Sequence, residues 1–340
     1  VEKKASFSAS PAPCTKTILW FIRLKQFRLA MRTTILVLIL TVVIVPLVSF
    51  YYGTPLNPLQ SDILSTMGLS VGIVIAYCFI VGELSRNNSQ VDKLWSIVPI
   101  YYAWHMTALG DFHPRMVFMS VLVTIWGLRL TYNFARRGAY QWKFWSGEED
   151  YRWGILRSRP GFDKPLVWMA FNLFFISAYQ NVLIFLFTLP VLTALYDDAP
   201  TALTLADWVL GTLYVVCVAL EFLADQQQYD FQTEKHRRIR AGEDLGEYAQ
   251  GFVSKGLWGI VRHPNYAMEQ SIWILFYGFS IVATGEWINW SMPGCLLLLI
   301  LFKGSSDFSE EISSGKYPAY KTYQAQVPRF LPSIRSFLGR

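Results

Sequence analysis

The chain has 340 residues, of which 53% are hydrophobic, 16% aromatic and only 16% charged, with a mean hydropathy of +0.30. Soluble domains carry roughly 25% charged residues, so a surface this poor in charge cannot be wetted in the ordinary way; a disordered chain, a collagen-like fibre and a small disulfide scaffold are excluded as well. The net charge of +6 would suit nucleic acid, but the positions of the basic residues assign it to membrane topology instead.

Crossing about 30 Å of hydrocarbon takes roughly 17–25 mostly apolar residues. In chain order such stretches are predicted at 34–52, 63–82, 93–110, 115–133, 166–190, 205–224, 265–284 and 287–303. The pattern predicts an all-α, polytopic bundle of about eight transmembrane helices. Residues 1–33 are expected to form a basic, largely disordered extension. Residues 34–340 are expected to form a single membrane domain, with long loops at 134–164 and 225–264 and a C-terminal cap at 304–340.

Lys and Arg collect on the cytoplasmic side of short loops. Every basic residue except Arg115 falls at or beside one end of an eight-span chain. Both termini are therefore expected in the cytoplasm, and no nucleic-acid partner is expected. Cys14, Cys78, Cys217 and Cys295 form no CxxC pair, and His105, His113, His236 and His263 form no HxxxH pair. No metal site is expected.

Polar and ionisable residues inside a span are functional candidates. The densest group is GLWGIVRHPNYAMEQSIW at 256–273, where Arg262, His263, Asn265, Tyr266 and Glu269 lead into an apolar helix. Pro264 suits a first helical turn, and Asn265 and Glu269, four apart, share a face. Arg262 beside a helix N-terminus offers positive potential to a phosphate. An interfacial cap with a snorkelling arginine would explain the first residues, but not Asn265 and Glu269 further in. In EFLADQQQYDFQTEKHRR (221–238), Glu221 and Asp225 stand one turn apart at the end of a span.

SGEEDYRWGILR (146–157) places Arg152 among Trp142, Trp145 and Trp153, aromatics that also suit an interfacial belt. VDKLWS opens the third span with Asp92 and Trp95. The tail EEISSGKYPAYKTYQAQVPRFLP, with Glu310, Glu311, Tyr317, Tyr320 and Tyr323, is expected to fold back on the loops.

GLWGIVRHPNY followed by Glu269 resembles the signature shared by the steroid 5-alpha-reductases and the sterol C14 and C7 reductases. VDKLWS, EDYRW, the stretch holding Glu221, Asp225 and Gln227, and the final YPxYxxY…P make the chain similar, over about 85–335, to one branch. That branch is the steroid-reductase-like membrane family DUF1295. The resemblance implies an oxidoreductase that uses NADPH to saturate a C=C bond, typically conjugated to a carbonyl, in a steroid, sterol or other lipid. A eukaryotic member is expected in the endoplasmic reticulum membrane.

By motif position Asn265 and Asp225 resemble residues that hold the cofactor. Glu221, Arg262, His263, Tyr266, Tyr323, Arg152 and Lys303 are further cofactor-binding candidates. Glu269 and Asp92, acids near span ends on the active side, are the catalytic candidates. Trp126, in IWGL ahead of Arg129, stands where steroid reductases carry a carbonyl-polarising tyrosine. Lys303 is the cation nearest to the place of an arginine and a histidine in their last span.

Two other readings compete. Isoprenylcysteine carboxyl methyltransferases, which use S-adenosylmethionine, resemble the chain at RHPxY and in the tail, but they carry Gly where Met268 stands. A receptor or scaffold that had lost its chemistry would have lost the polar cluster too.

Overall fold

The computed structural model describes Leu36 and residues 40–52 and 55–333; the expected N-terminal extension lies outside them. Two units are distinguished, Val1–Leu47 and Val48–Arg340. Leu40–Ile44, in the first, is π-helical, and helix α1 is Val45–Tyr52. The described residues contain helices, turns and loops and no strand.

Helix α2 (Pro58–Ser85) starts at a reciprocal cap. Asn57 accepts from the Gln60 amide at 2.8 Å and the Gln60 side chain accepts from the Asn57 amide at 3.0 Å, which satisfies two otherwise orphaned donors. The chain then breaks at Trp95–Ile97 into α3 (Gln90–Leu94) and α4 (Val98–Leu109). Next come α5 (Pro114–Ala135), with proline in its first turn, and the short α6 (Tyr151–Arg157).

Residues 165–195 are one helical run that changes pitch. It passes from α7 (Pro165–Phe171) through a π-helical stretch, Asn172–Tyr179, to α8 (Gln180–Thr188) and a 3-10 turn, Leu189–Leu195. Helix α9 (Leu205–Ala241) starts at a second capping box, Thr204 with Asp207, and stops at Gly242, whose φ of 67° suits glycine. It is followed by α10 (Leu257–Ile260), α11 (Pro264–Thr284), α12 (Met292–Lys316) and α13 (Tyr320–Gln326).

The core lies between α5, α8, α9 and α11. Trp126 meets Trp273 edge-on at 4.9 Å, and Trp273 packs on Phe187 at 4.1 Å and on Phe276 at 5.2 Å. Helix α12 approaches α8 at Gly294, where a Cβ would lie 2.2 Å from the Leu186 carbonyl carbon. No other residue permits that approach.

Four helical segments among the described residues are long and apolar enough to cross a membrane: α2, α5, 165–195 and α9. They correspond to the spans expected at 63–82, 115–133, 166–190 and 205–224; the span expected at 34–52 lies partly outside the described residues. The 93–110 span is interrupted, leaving α4 only 12 residues, about 18 Å at 1.5 Å per residue. Helix α11 forms as expected, but Glu269 and Gln270 dilute its apolar run, and α12 begins later than expected and runs on into a charged segment. The 225–264 loop is helical as far as Ala241, because α9 continues straight out of its apolar part.

Arg115, the basic residue that breaks the charge asymmetry, is buried and internally paired. Its Nε and Nη2 donate to Asp207 at 2.8 and 3.1 Å. The exception to the charge pattern is thus neutralised within the bundle.

Candidate functional site

At the end of the bundle that carries the basic loops, α5, α9 and α11 converge on the Arg129 guanidinium. It lies 2.7 Å from Glu221, 2.9 Å from Asp225 and 3.5 Å from Glu269, all four buried. Helical spacing builds the arrangement. Trp126, Arg129 and Asn133 follow one face of α5, Glu221 and Asp225 one face of α9, and Asn265 and Glu269 one face of α11.

Each acid is tied further. Asn133 and Asn265 donate amide hydrogens to Asp225 at 2.9 and 3.2 Å. The Trp126 and Trp273 indoles donate to the two Glu269 oxygens at 2.8 and 3.0 Å. Arg136, one turn beyond Asn133, bonds Asn133 and Gln226 and lies 4.2 Å over the Tyr229 ring. The polar side chains pair with one another.

Three buried polar atoms at this cluster lack a hydrogen-bond partner among the described residues: Arg129 Nε, Glu221 Oε2, which has only its ionic contact, and the Tyr214 hydroxyl. Tyr214 is fully buried two helical turns before Glu221 on α9, and the charges of Glu269, Glu221 and Arg129 act on it. Three carboxyl groups face one guanidinium.

A second group forms around Glu310 of α12. Its carboxylate receives Arg262 Nε at 2.7 Å, Gln324 at 2.8 Å and Arg329 at 3.1 Å, and His263 Nε2 lies 2.9 Å from it. Arg262 also bonds the Gln324 and Val327 carbonyls, and the Arg262 and His263 amides donate to Pro328 and Arg329. Burial raises the Glu310 pKa, but the contacts with His263 and Arg262 outweigh it and hold the carboxyl below the ordinary carboxylate range. Tyr323 donates to the Trp258 carbonyl at 2.5 Å and packs with Tyr320 and Val327 on Phe252. The tail therefore folds back onto the 252–263 segment.

A third group gathers at α3 and α6. The Trp153 indole donates to Asp92 at 2.9 Å, and Arg152 pairs with Asp150 at 2.8 Å. Burial, reinforced by the nearby Asp150, pushes the Asp92 carboxyl up. Arg152 loses solvation, yet Tyr266 and Asp150 beside it hold its charge more than firmly. The loop between α5 and α6 folds over α3, where Lys93 donates to the Phe144 and Ser146 carbonyls and Tyr140 to the Lys93 carbonyl.

The structure therefore distributes the candidates. Glu221, Asp225, Asn265 and Glu269 share the embedded cluster. Arg262, His263 and Tyr323 hold the tail. Arg152, Asp92 and Tyr266 meet near α6. Lys303 joins none of these, pairing on the surface with Asp307 at 2.5 Å. Arg129, Asn133, Trp273 and Tyr214 were not among the candidates. The i, i+4 spacing of Arg129 and Asn133 inside a predicted span was the signal for two of them. Two cavities lie elsewhere, one lined along α4 and one beside Glu83, Arg86 and Arg157.

Helical throughout its described residues, with four segments long and apolar enough to cross a membrane, the chain has the character of a membrane protein. The family described as "Protein of unknown function (DUF1295)" matches residues 78–327, and the chain belongs to it. It is 35% identical over 304 residues to an uncharacterized protein of Schizosaccharomyces pombe, covering 84% of this chain and 82% of that one. No solved structure matches it.

Proposed function

We propose that the protein is a membrane reductase that uses a reduced nicotinamide dinucleotide, NADPH by family resemblance, to saturate a C=C bond conjugated to a carbonyl in a lipid. The observation that carries this reading is the embedded cluster around Arg129, inside which Arg129 Nε and the Tyr214 hydroxyl have no hydrogen-bond partner among the described residues. A carboxamide offers both donors and an acceptor; Arg129 Nε would donate to its oxygen and the Tyr214 hydroxyl would accept from its nitrogen. The residues fit such a group. Its entry would part the two longest contacts of the cluster, Asn265–Asp225 and Arg129–Glu269.

When bound, the dinucleotide supplies a hydride. Glu221, Asp225, Asn265 and Arg129 would hold its carboxamide end. Arg136 and Arg137, on the adjoining basic end, would provide countercharge for phosphates. Burial favours the protonated form of Asp92, the form a donor to a developing enolate needs, and Glu269 is already committed to two indoles.

The test is thermal stabilisation of the detergent-solubilised protein by NADPH, NADH and S-adenosylmethionine in parallel. NADPH is expected to raise the melting temperature. Stabilisation by the methyl donor alone would replace the reductase with a methyltransferase.

A further inference from the structure

We propose that the cavity where α2, α6 and α7 meet holds the headgroup of a phosphatidylethanolamine. Helix α2 ends at Arg86, whose φ of 56° places it in the left-handed region, and the reversal brings Asn88 to α6 and α7. Asn88 Oδ1 accepts from Arg157 Nη2 of α6 at 2.7 Å and from the Trp168 indole of α7 at 3.2 Å. Glu83 of α2 accepts from Asn172, just beyond α7, at 2.7 Å. These bonds tie the three elements around a hollow of about 210 Å³, lined by Gly82, Glu83, Arg86, Asn88, Arg157 and Trp168.

The polar atoms left over in the lining define the guest. The Arg86 guanidinium has no partner among the described residues. Arg157 spends Nη2 on Asn88 and Glu149, which leaves its Nε and Nη1. Glu83 spends Oε1 on Asn172, which leaves Oε2. Two guanidiniums beside one carboxylate suit a phosphate joined to a primary ammonium: the arginines bond the phosphate oxygens and Glu83 takes the ammonium. The formal charges agree. Arg86 and Arg157 are offset by Glu83 and by Glu149, which pairs with Arg157 at 3.1 Å, so a zwitterion is matched where a net anion would lack countercharge. Choline is the poorer fit. Its quaternary ammonium has no N–H for Glu83, and the Trp168 ring that would receive it already carries the Arg157 guanidinium at 4.6 Å.

Two observations select a lipid over a soluble ester. Helix α2 and the run 165–195 are both apolar enough to cross a membrane, and the cavity lies where α2 ends and that run begins, the level at which lipid headgroups stand. Leu69, Ile73, Ile80 and Leu84 are exposed at helical spacing along one face of α2, a stripe that ends beside Glu83. Acyl chains lie along it. At about 30 Å³ per water, a hollow of about 210 Å³ has room for about seven waters, enough for a headgroup but not for the chains. The site is separate from the Arg129 cluster and does not rest on the reductase reading.

The test uses the full chain, delipidated in detergent and incubated with equimolar dioleoyl phosphatidylethanolamine, phosphatidylcholine, phosphatidylserine and phosphatidylglycerol. Native mass spectrometry reads the lipid retained. Phosphatidylethanolamine is expected to be retained about tenfold more than phosphatidylcholine, the worth of one charge-assisted hydrogen bond. Glu83→Gln, which keeps an acceptor for Asn172, should abolish that preference. Arg86→Gly, at a position whose backbone glycine adopts freely, should lower the retention of both lipids. Equal retention of all four lipids, a preference for phosphatidylcholine or an anionic lipid, or unchanged retention in both variants would overturn the proposal. Displacement of the lipid by glycerophosphoethanolamine at equal concentration would overturn it too, by assigning the site to a soluble ester. The ranking of the four headgroups on the wild type decides the matter even if a variant does not fold.

Discussion

Asp225 on α9 and Asn265 on α11 face each other at 3.2 Å across the centre of the embedded cluster, and Asp225 Oδ2 is already shared by Arg129 and Asn133. Asn265 is thus the least constrained of the groups around Asp225. Asn265→Ala should cost only about 1 kcal/mol of stability, the worth of one hydrogen bond. It should weaken the response to NADPH about tenfold or more. Melting curves with increasing nucleotide measure both, and an undiminished response removes Asn265 from the site.

Among the described residues, Arg129 is the only cation that meets all three embedded acids. Arg129→Met leaves those carboxylates without their countercharge, and breaking such a pair typically costs about 3–5 kcal/mol. Adding Glu221→Gln and Glu269→Gln to Arg129→Met should recover part of that loss. Denaturation of the purified single and triple variants in detergent checks the order.

At the opposite end, Arg115 and Asp207 form a buried bidentate pair. Arg115→Leu should destabilise by about 3–5 kcal/mol. Arg115→Leu with Asp207→Leu should regain most of it, less about 1 kcal/mol for the capping box that Asp207 completes. A double variant no more stable than the single one would show the pair is not self-contained.

The tail clamp is expected to tolerate mild acid. The Glu310 pKa is depressed by its partners, so its stabilising contribution is complete above the ordinary value of 4.5 and fades only as the pH falls below it. Limited trypsinolysis at Lys321 should therefore stay slow at neutral pH. Glu310→Gln should accelerate it several-fold at the same pH, because Arg262 and Arg329 lose their counterion.

Asp92 has the opposite sign. Its carboxyl is pushed up from an ordinary value of 3.8, so the folded state loses stability as the pH rises from that ordinary value through the raised one. Asp92→Asn keeps an acceptor for Trp153 and removes that penalty. The variant should gain on the wild type as the pH rises and match it in strong acid, which a pH series of melting temperatures reads directly.

Much of this arrangement was legible from residue types. Asn265 and Glu269 on one helical face, and Glu221 and Asp225 on another, announced that polar groups meet inside the bundle, and the tyrosines of the tail announced that it docks. Arg129 reads in the sequence as one of the loop charges, because a basic residue near a span end normally serves topology. Only the packing of α5 against α9 turned it inward. Arg262 and His263 are adjacent to Asn265 in sequence, yet their partner is Glu310, 48 and 47 residues away, and no local pattern encodes that distance. The break in the third span was equally hidden, since the run VDKLWSIVPIYYAWHM stays apolar enough to read as one helix.

Helix α9 holds 37 residues, with one glycine, Gly211, and no proline, and so extends for about 55 Å. That is nearly twice the hydrocarbon thickness of a bilayer, about 30 Å. The last turns of α9, around His236 and Arg240, therefore stand about 28 Å beyond Glu221, past the reach of the hydrocarbon.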